Sequence, residues 1–348
     1  MTNQSKSFDF LVFIGRFQPF HNGHEQVVDQ ALHSANQVIL LCGSAFRPRC
    51  QRNPWSYDER EAMIRGIYTQ AENRRIRISP LLDILYNDEL WVQNVQRTVT
   101  GIVTAHHKRL HEPARVGLIG HRKDASSYYL NLFPQWAGVS VPHLERINAT
   151  DIRKVYFSGE TLQEDHLPQT VHANLARFKE SADFQQIQQE REFIGRYQAG
   201  WAQAPYPPTF VTVDAVVVQS GHVLLVERKA QPGQGLLALP GGFLDPRESM
   251  LEAVIRELRE ETRLKVPEPV LRGSLVKQAA FDDPYRSARG RTITQAYLFL
   301  LRASASLPAV KGGDDAKKAW WMPLGDLNPS EMFEDHYFII QNLLGAIV

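Results

Sequence analysis

Two stretches of this chain place chemically competent residue types at spacings that let them act together. The first is Gly15-Arg16-Phe17-Gln18-Pro19-Phe20-His21-Asn22-Gly23-His24. His21 and His24 are three apart, so at the start of a helix both imidazoles can face one ligand group. Imidazoles there donate hydrogen bonds to phosphoryl oxygens and offset charge that grows in a transition state. Gly15 and Gly23 allow close approach of backbone to phosphate, and amides at a helix N-terminus favour anions. The second stretch is Leu239-Pro240-Gly241-Gly242, then Glu248, then Arg256-Glu257-Leu258-Arg259-Glu260-Glu261. Glu257, Glu260 and Glu261 crowd one helical face, where like charges repel unless a cation is bound. Oxygen-only ligands select Mg²⁺ or Mn²⁺, and such ions activate water against phosphorus.

Both stretches need particular elements to hold them. Phe8 to Ile14 is almost continuously apolar and ends at Gly15, which reads as a buried parallel strand running into a phosphate-type turn. A helix follows from about Gly23 to Ser34, then a strand at Val38 to Cys42, a helix at Tyr57 to Thr69 and an apolar run at Val116 to Gly120. This alternation predicts an α/β, doubly wound parallel sheet, Rossmann-like, with ligands beyond the carboxyl ends of its strands. Residues from about Gly159 to Gln198 are polar and helix-compatible, and Ala199 to Phe210 then brings three prolines and a glycine. Beyond it, Val211–Val218 and His222–Val226 flank a hairpin signal, a helix is expected at Met250–Glu261, and strands at Leu271–Gln278 and Thr292–Leu301. The expected organisation is a first domain over 1–185, a linker over 186–208 and an α+β second domain over 209–348.

The first stretch resembles the nucleotidyltransferase superfamily marked by an H-x-G-H signature. The longer string G-R-F-Q-P-F-H-x-G-H resembles nicotinamide mononucleotide (NMN) adenylyltransferases of the archaeal type. Ile147-Asn148-Ala149-Thr150-Asp151-Ile152-Arg153 is similar to the superfamily's second signature, with Asn148 where Ser is usual; Asn caps a helix as well as Ser does. The resemblance implies ATP held by Gly15, Phe17, Gly23, Asn148, Thr150 and Arg153, with His21, His24, Arg16 and Arg153 catalytic. Gly43-Ser44-Ala45 with Arg52-Asn53-Pro54 and Glu59-Arg60 is similar to the strand end and loop beside both substrates in that family. Arg52 is the candidate phosphate fork, with Arg47 and Arg49 not ranked against it. Asn87, Asp88 and Trp91 resemble the segment in which a Trp stacks on nicotinamide and a polar side chain addresses the carboxamide. The implied reaction is in-line attack of the NMN 5′-phosphate on the α-phosphorus of the co-substrate ATP, giving NAD and pyrophosphate with Mg²⁺ on the triphosphate.

The second stretch, spaced G-x5-E-x7-R-E-L-x-E-E, resembles the Nudix box. That resemblance makes Glu257, Glu260 and Glu261 the ligands of Mg²⁺ or Mn²⁺, and Gly242, Glu248 and Arg256 structural, with Arg256 pairing Glu248. One departure is visible: Arg263 stands where the family has a Gly that caps the helix, and catalysis is expected to survive it. Arg286, Arg289 and Arg291 lie in a polar loop entering a strand and are the expected contacts to ADP-ribose. The whole chain resembles bacterial bifunctional NMN adenylyltransferase/Nudix hydrolases, most weakly from Gly159 to Pro208. Two alternatives stay open for the second half: another nucleoside diphosphate (NADH or a dinucleoside polyphosphate), or a non-catalytic sensor of ADP-ribose or NAD. A different phosphate acceptor for the first half is disfavoured by Trp91 and the Arg52 loop.

The 348 residues suit two domains of roughly 150 residues each. Thirty-nine Lys and Arg balance 38 Asp and Glu, so charge gives no reason to expect a nucleic-acid partner. Two cysteines, Cys42 and Cys50, argue against a disulfide framework. No signal segment and no apolar run of about 18 residues is visible, so the expectation is a cytoplasmic enzyme without a membrane partner, with homo-oligomerisation left open.

Overall fold

The computed structural model of the chain describes residues 6–107, 112–120, 132–142, 147–313 and 315–345. The chain divides into two compact units, Met1–Gln188 and Gln189–Val348.

In the first unit the strands are β1 (Phe8–Gly15), β2 (Ala35–Cys42), β3 (Ile76–Pro80), β4 (Val116–Gly120) and β5 (Ala137–Ser140), with helices α1 (Asn22–Ser34), α2 (Tyr57–Arg65), α3 (Gln70–Asn73), α4 (Asp88–His106), α5 (Ala149–Ser158) and α6 (Gln169–Phe178). Among the described residues the strands form a parallel sheet in the order β3-β2-β1-β4-β5, so the chain winds outward from β1 in both directions. Strand alternation splits the core. Leu11 and Phe13 face Val27, Val28 and Ala31 of α1, whereas Phe10, Val12 and Ile14 face Val95 and Val99 of α4. Gly15 and Gly43 therefore end adjacent central strands, where such sheets bind ligands. The helix expected over Tyr57–Thr69 stops at Arg65, with Gly66 as its cap. Thr69 instead opens α3, its hydroxyl accepting from Glu72 N.

Helix α7 (Ala182–Ala199) runs through the unit division and through the first part of the stretch expected as a linker. Ile187 and Ile194 along it are buried. The second unit contains β6 (Thr209–Gln219), β7 (His222–Arg228), β8 (Leu237–Ala238), β9 (Gly241–Phe243), α8 (Met250–Thr262), α9 (Glu268–Gly273), β10 (Leu275–Phe281), β11 (Arg291–Leu300), β12 (Ala316–Pro323) and α10 (His336–Leu344). The sheet is mixed, in the order β10-β11-β6-β7-β12, with β8 on β7 and β9 on β6. Ser220 and Gly221, both at positive φ, make the two-residue turn between β6 and β7. The strand expected from Leu271 begins only at Leu275, because Pro267 and Pro269 start α9 first. The apolar side of α8 (Ala253, Val254, Leu258) packs with Val213, Ala215 and Val217 of β6, which fixes where its acidic side must point. Among the described residues no helix is long and apolar enough to cross a membrane.

Candidate active sites

The site of the first unit grows from the end of β1. A Cβ on Gly15 would lie 2.7 Å from the Phe17 ring, so only glycine lets the chain turn this tightly. Phe17 itself has a positive φ of 52° and is 1% exposed, packed on Phe13, Phe20 and His24. Its side chain thus shapes the loop, which corrects the expectation that it contacts ATP; only its backbone is available to a ligand. Gly43 N donates to Gly15 O (2.9 Å) and ties the two strand ends together. Fully buried Arg60 donates to Arg16 O (2.6 Å), Gly43 O (2.8 Å) and Ser44 O (3.4 Å), gathering the carbonyls of both turns. Gln18 clamps the Trp55 backbone through Nε2 to O (2.8 Å) and from N to Oε1 (3.0 Å).

His21 is the N-cap of α1 and His24 its third residue. Their rings stack with centroids 3.6 Å apart and planes 21° apart, and His21 N donates to His24 Nδ1 (3.3 Å). With Nδ1 accepting, the proton of a neutral His24 resides on Nε2. Gly23 is buried between the two rings' positions in the chain. Arg153, on α5, donates from Nη1 to Gln18 O (2.6 Å) and from Nη2 to Thr150 Oγ1 (3.3 Å). Asn148 caps α5 by accepting from Asp151 N (2.9 Å). Burial, with Arg16 and Arg52 beside it, lowers Arg153 to about 10, and Arg16 is lowered by burial and then by Arg52. Arg16 Nη1 is buried with no hydrogen-bond partner. Three guanidiniums that destabilise one another, one with an unmet donor, are a receptor for a multiply charged anion.

Of the other loop arginines, Arg49 is committed to Glu59 (2.6 Å) and Asp183 (3.0 Å), which removes it as a candidate, while Arg52 is exposed. Asn87 is the N-cap of α4, accepting from Leu90 N (3.0 Å), Asp88 is exposed, and half-buried Trp91 packs on Phe133 (6.0 Å). These three sit past the carboxyl end of β3. Ser44 N and Oγ both donate to Asp83 (2.9 and 2.6 Å), a clamp on the β2 end that sequence reading missed because the partners are 39 apart.

In the second unit, Gly241 and Gly242 form β9 and feed the loop to α8. A Cβ on Gly242 would lie 2.4 Å from Glu257 Oε1, so glycine here lets the loop lie against the acidic helix. Arg256 donates to Glu248 (2.6 and 3.0 Å), to Glu257 Oε1 (2.8 Å) and to Glu260 Oε2 (3.1 Å). The expected Glu248–Arg256 pair is present, and the same guanidinium bridges two of the carboxylates. Glu261 is 8% exposed and accepts from Gly241 N (3.0 Å). Burial, then the neighbouring charge of Glu257, raises its carboxyl to about 8. A buried carboxyl beside a second carboxylate, all donors oxygen, fits a hard divalent cation. Arg263 ends α8 in the left-handed region at φ 54°, and Lys311 N and Gly313 N donate to Thr262 O and Glu261 O, so the helix end is closed without glycine.

A cavity of about 230 Å³ opens beside Glu261, lined in part by Phe193, Tyr197, Asp214, Arg228, Arg289 and Glu334. Arg289 lies over the Phe243 ring at 5.3 Å. Arg286 also lines the cavity, but its Nε and Nη2 both donate to Asp335 (3.0 and 2.8 Å) in a buried ion pair. Arg291 donates to Asp282 across the loop base. Neither offers a free fork, which corrects the expectation that all three arginines hold substrate. Glu334, Asp335 and His336 bring ligand atoms within 4.8 Å of one another. Asp335 is held by Arg286, however, and His336 Nδ1 accepts from Leu239 N (2.9 Å), so this group is a hydrogen-bonded network. Thr294 Oγ1 donates to Asp214 Oδ2 (2.6 Å), and His336 Nε2 lies 3.8 Å from Asp214 Oδ1. This network beneath the Leu239–Gly242 turn was not legible in the sequence, since Asp214 and His336 sit in ordinary apolar runs.

Comparison with known proteins assigns both halves. A cytidylyltransferase-like family model matches residues 12–127 and a NUDIX domain model matches 208–343. The chain is 40% identical over 184 residues to a nicotinamide/nicotinic acid mononucleotide adenylyltransferase of Acinetobacter baylyi, covering 53% of this chain and 93% of that one. It is 37% identical over 134 residues to an ADP-ribose pyrophosphatase of Methanocaldococcus jannaschii, covering 38% and 72%. A bifunctional NMN adenylyltransferase/ADP ribose pyrophosphatase from Francisella tularensis, solved with AMP and a manganese ion, superposes with a TM-score of 0.89 at 35% identity, covering 98% of this chain and 100% of that one.

Proposed function

Because the chain belongs to the family of bifunctional NMN adenylyltransferase/ADP-ribose pyrophosphatases, we propose that it joins NMN and ATP into NAD and pyrophosphate, and hydrolyses ADP-ribose to AMP and ribose 5-phosphate. The observation that carries the reading is the presence on one chain of both donor sets: two stacked histidines with a triad of arginines, and a carboxylate helix closed on a glycine turn.

In the first reaction the NMN phosphate oxygen bonds to the α-phosphorus of ATP as the bond to the pyrophosphate oxygen breaks. No covalent enzyme intermediate is needed. Arg16, Arg52 and Arg153 bind the polyphosphate, and backbone at Gly15, Gly23 and the α5 start lets it approach closely. His24 donates from Nε2 to a phosphoryl oxygen, with His21 stacked against it and holding its Nδ1. Trp91, with Asn87 and Asp88 at the start of α4, serves the nicotinamide end. A divalent ion on the triphosphate supplies charge neutralisation when bound.

In the second reaction Glu257, Glu260 and Glu261 hold Mg²⁺ or Mn²⁺, which when bound favours water attack on phosphorus and offsets leaving-group charge. Gly241 N–H orients Glu261, and Arg256 fixes the loop through Glu248. Arg289 and Arg228 replace Arg286 and Arg291 as the arginines that face substrate. Arg286 and His336 position the turn. The test is direct: NAD formation from NMN and ATP, and AMP release from ADP-ribose, assayed on the same preparation. Absence of either product removes that half of the reading.

A further inference from the structure

The cavity beside Glu261 has two chemically different ends. One is charged, with Glu261, Asp214 and Arg228 around it. The other is flat and apolar, and much of it comes from α7, ahead of the segment matched by the NUDIX model. Phe193 and Tyr197 are one helical turn apart, both half-buried, both lining the cavity, and their rings stack with centroids 6.4 Å apart. A run of ring contacts continues from Tyr197 to Phe210 (5.7 Å) and from Phe210 to Phe243 (5.9 Å), where Arg289 covers the ring. The helix is fastened to the cavity's own loops at two levels. Glu190 accepts from Gly233 N (3.2 Å) and Gln198 Nε2 donates to Ala288 O (2.9 Å), one residue before Arg289. A helix pinned in this way is part of the site wall, not a spacer.

We propose that Phe193 and Tyr197 of α7 form the base-binding wall of the hydrolase, so that a helix outside the Nudix domain determines its preference for substrates carrying a planar nucleobase. This rests on the hydrolase reading above. A ligand held by its diphosphate at the carboxylate end must send its other part toward these rings, and stacking against aromatic faces is what holds a nucleobase. A sugar phosphate lacking a base gains nothing there.

The test compares the parent with a Phe193→Leu/Tyr197→Leu variant, which keeps apolar volume and removes the flat faces; Phe193→Ala/Tyr197→Ala serves as the more severe version. We expect the KM for ADP-ribose and the inhibition constant of AMP to rise about tenfold or more in the leucine variant, from stacking lost at two rings. Inhibition by ribose 5-phosphate, kcat and the Mn²⁺ concentration for half-activity should change less than about twofold. Unchanged AMP inhibition, or equal weakening of AMP and ribose 5-phosphate, overturns the wall. A parent that fails to hydrolyse ADP-ribose overturns the underlying reading instead. Equilibrium dialysis of AMP with Mn²⁺ then decides the wall: loss of one bound AMP per chain in the leucine variant supports it, and equal binding overturns it.

Discussion

His24 has its proton placed by its neighbours. The His21 amide occupies Nδ1 at 3.3 Å, so Nε2 is the donor, and three phenylalanine rings within 5.9 Å keep the imidazole from turning away. We expect His24→Ala to lower the kcat of NAD formation by about 10²- to 10³-fold with little change in NMN affinity, because the lost donor acts on charge that grows in the transition state. Steady-state kinetics check this; near-parental turnover would sink the role. Glu261 carries a pH signature. Its folded-state carboxyl is raised from 4.5 to about 8, chiefly by burial, so the folded protein keeps a proton that the unfolded chain gives up. That contribution to stability is complete below pH 4.5 and is lost as pH rises through about 8. Calorimetry of the metal-free protein should show melting temperature falling over this range, with a shallower fall in Glu261→Gln; identical slopes would refute the assignment. His21, His24 and the glutamates were legible because their chemistry is local, within one turn of helix. Arg60, Asp83, Asp214 and the Arg286–Asp335 pair were not, because their partners lie up to 80 residues away and only the folded sheet brings them together.

Elements set what those residues can do. The Gly242 turn lies so close to Glu257 that any side chain there must displace its carboxylate. Gly242→Ala should therefore cut ADP-ribose hydrolysis by about 10²-fold or more while NAD formation stays parental, since removing support for a metal ligand costs 10- to 100-fold and the ligand itself more. Parental hydrolysis in this variant would show that Glu257 is not a ligand. At the other end of α8, Arg263 takes a left-handed conformation that costs a non-glycine residue free energy. Arg263→Gly is expected to gain about 0.5 to 1 kcal/mol in denaturant unfolding and leave hydrolysis intact. Strand and helix periodicity made β1, α1, β2, β6, β7 and α8 readable in the sequence. The α7 helix was obscured by its polar composition, because two buried isoleucines in eighteen residues give a faint apolar stripe. The early β10 reading failed where prolines favoured a short helix.

At the scale of the whole chain, two reactions on adenine dinucleotide chemistry are assigned to separate residue sets. The first makes NAD; ADP-ribose arises when NAD is degraded, and the second returns its adenylate as AMP. The parallel sheet and the glycine-rich turns declared the first activity, and the spacing of the glutamates declared the second. The contribution of α7 emerged only from the structure. The central claim is that one chain carries both activities and that Glu261 belongs to the hydrolase alone. It is tested by measuring AMP release from ADP-ribose with Mg²⁺ or Mn²⁺, and NAD formation from NMN and ATP, in the parent and in Glu261→Gln. The account predicts both products from the parent, and in the variant AMP release reduced at least about 100-fold with NAD formation unchanged. Undiminished AMP release from the variant, or no AMP from the parent with either metal, would contradict it.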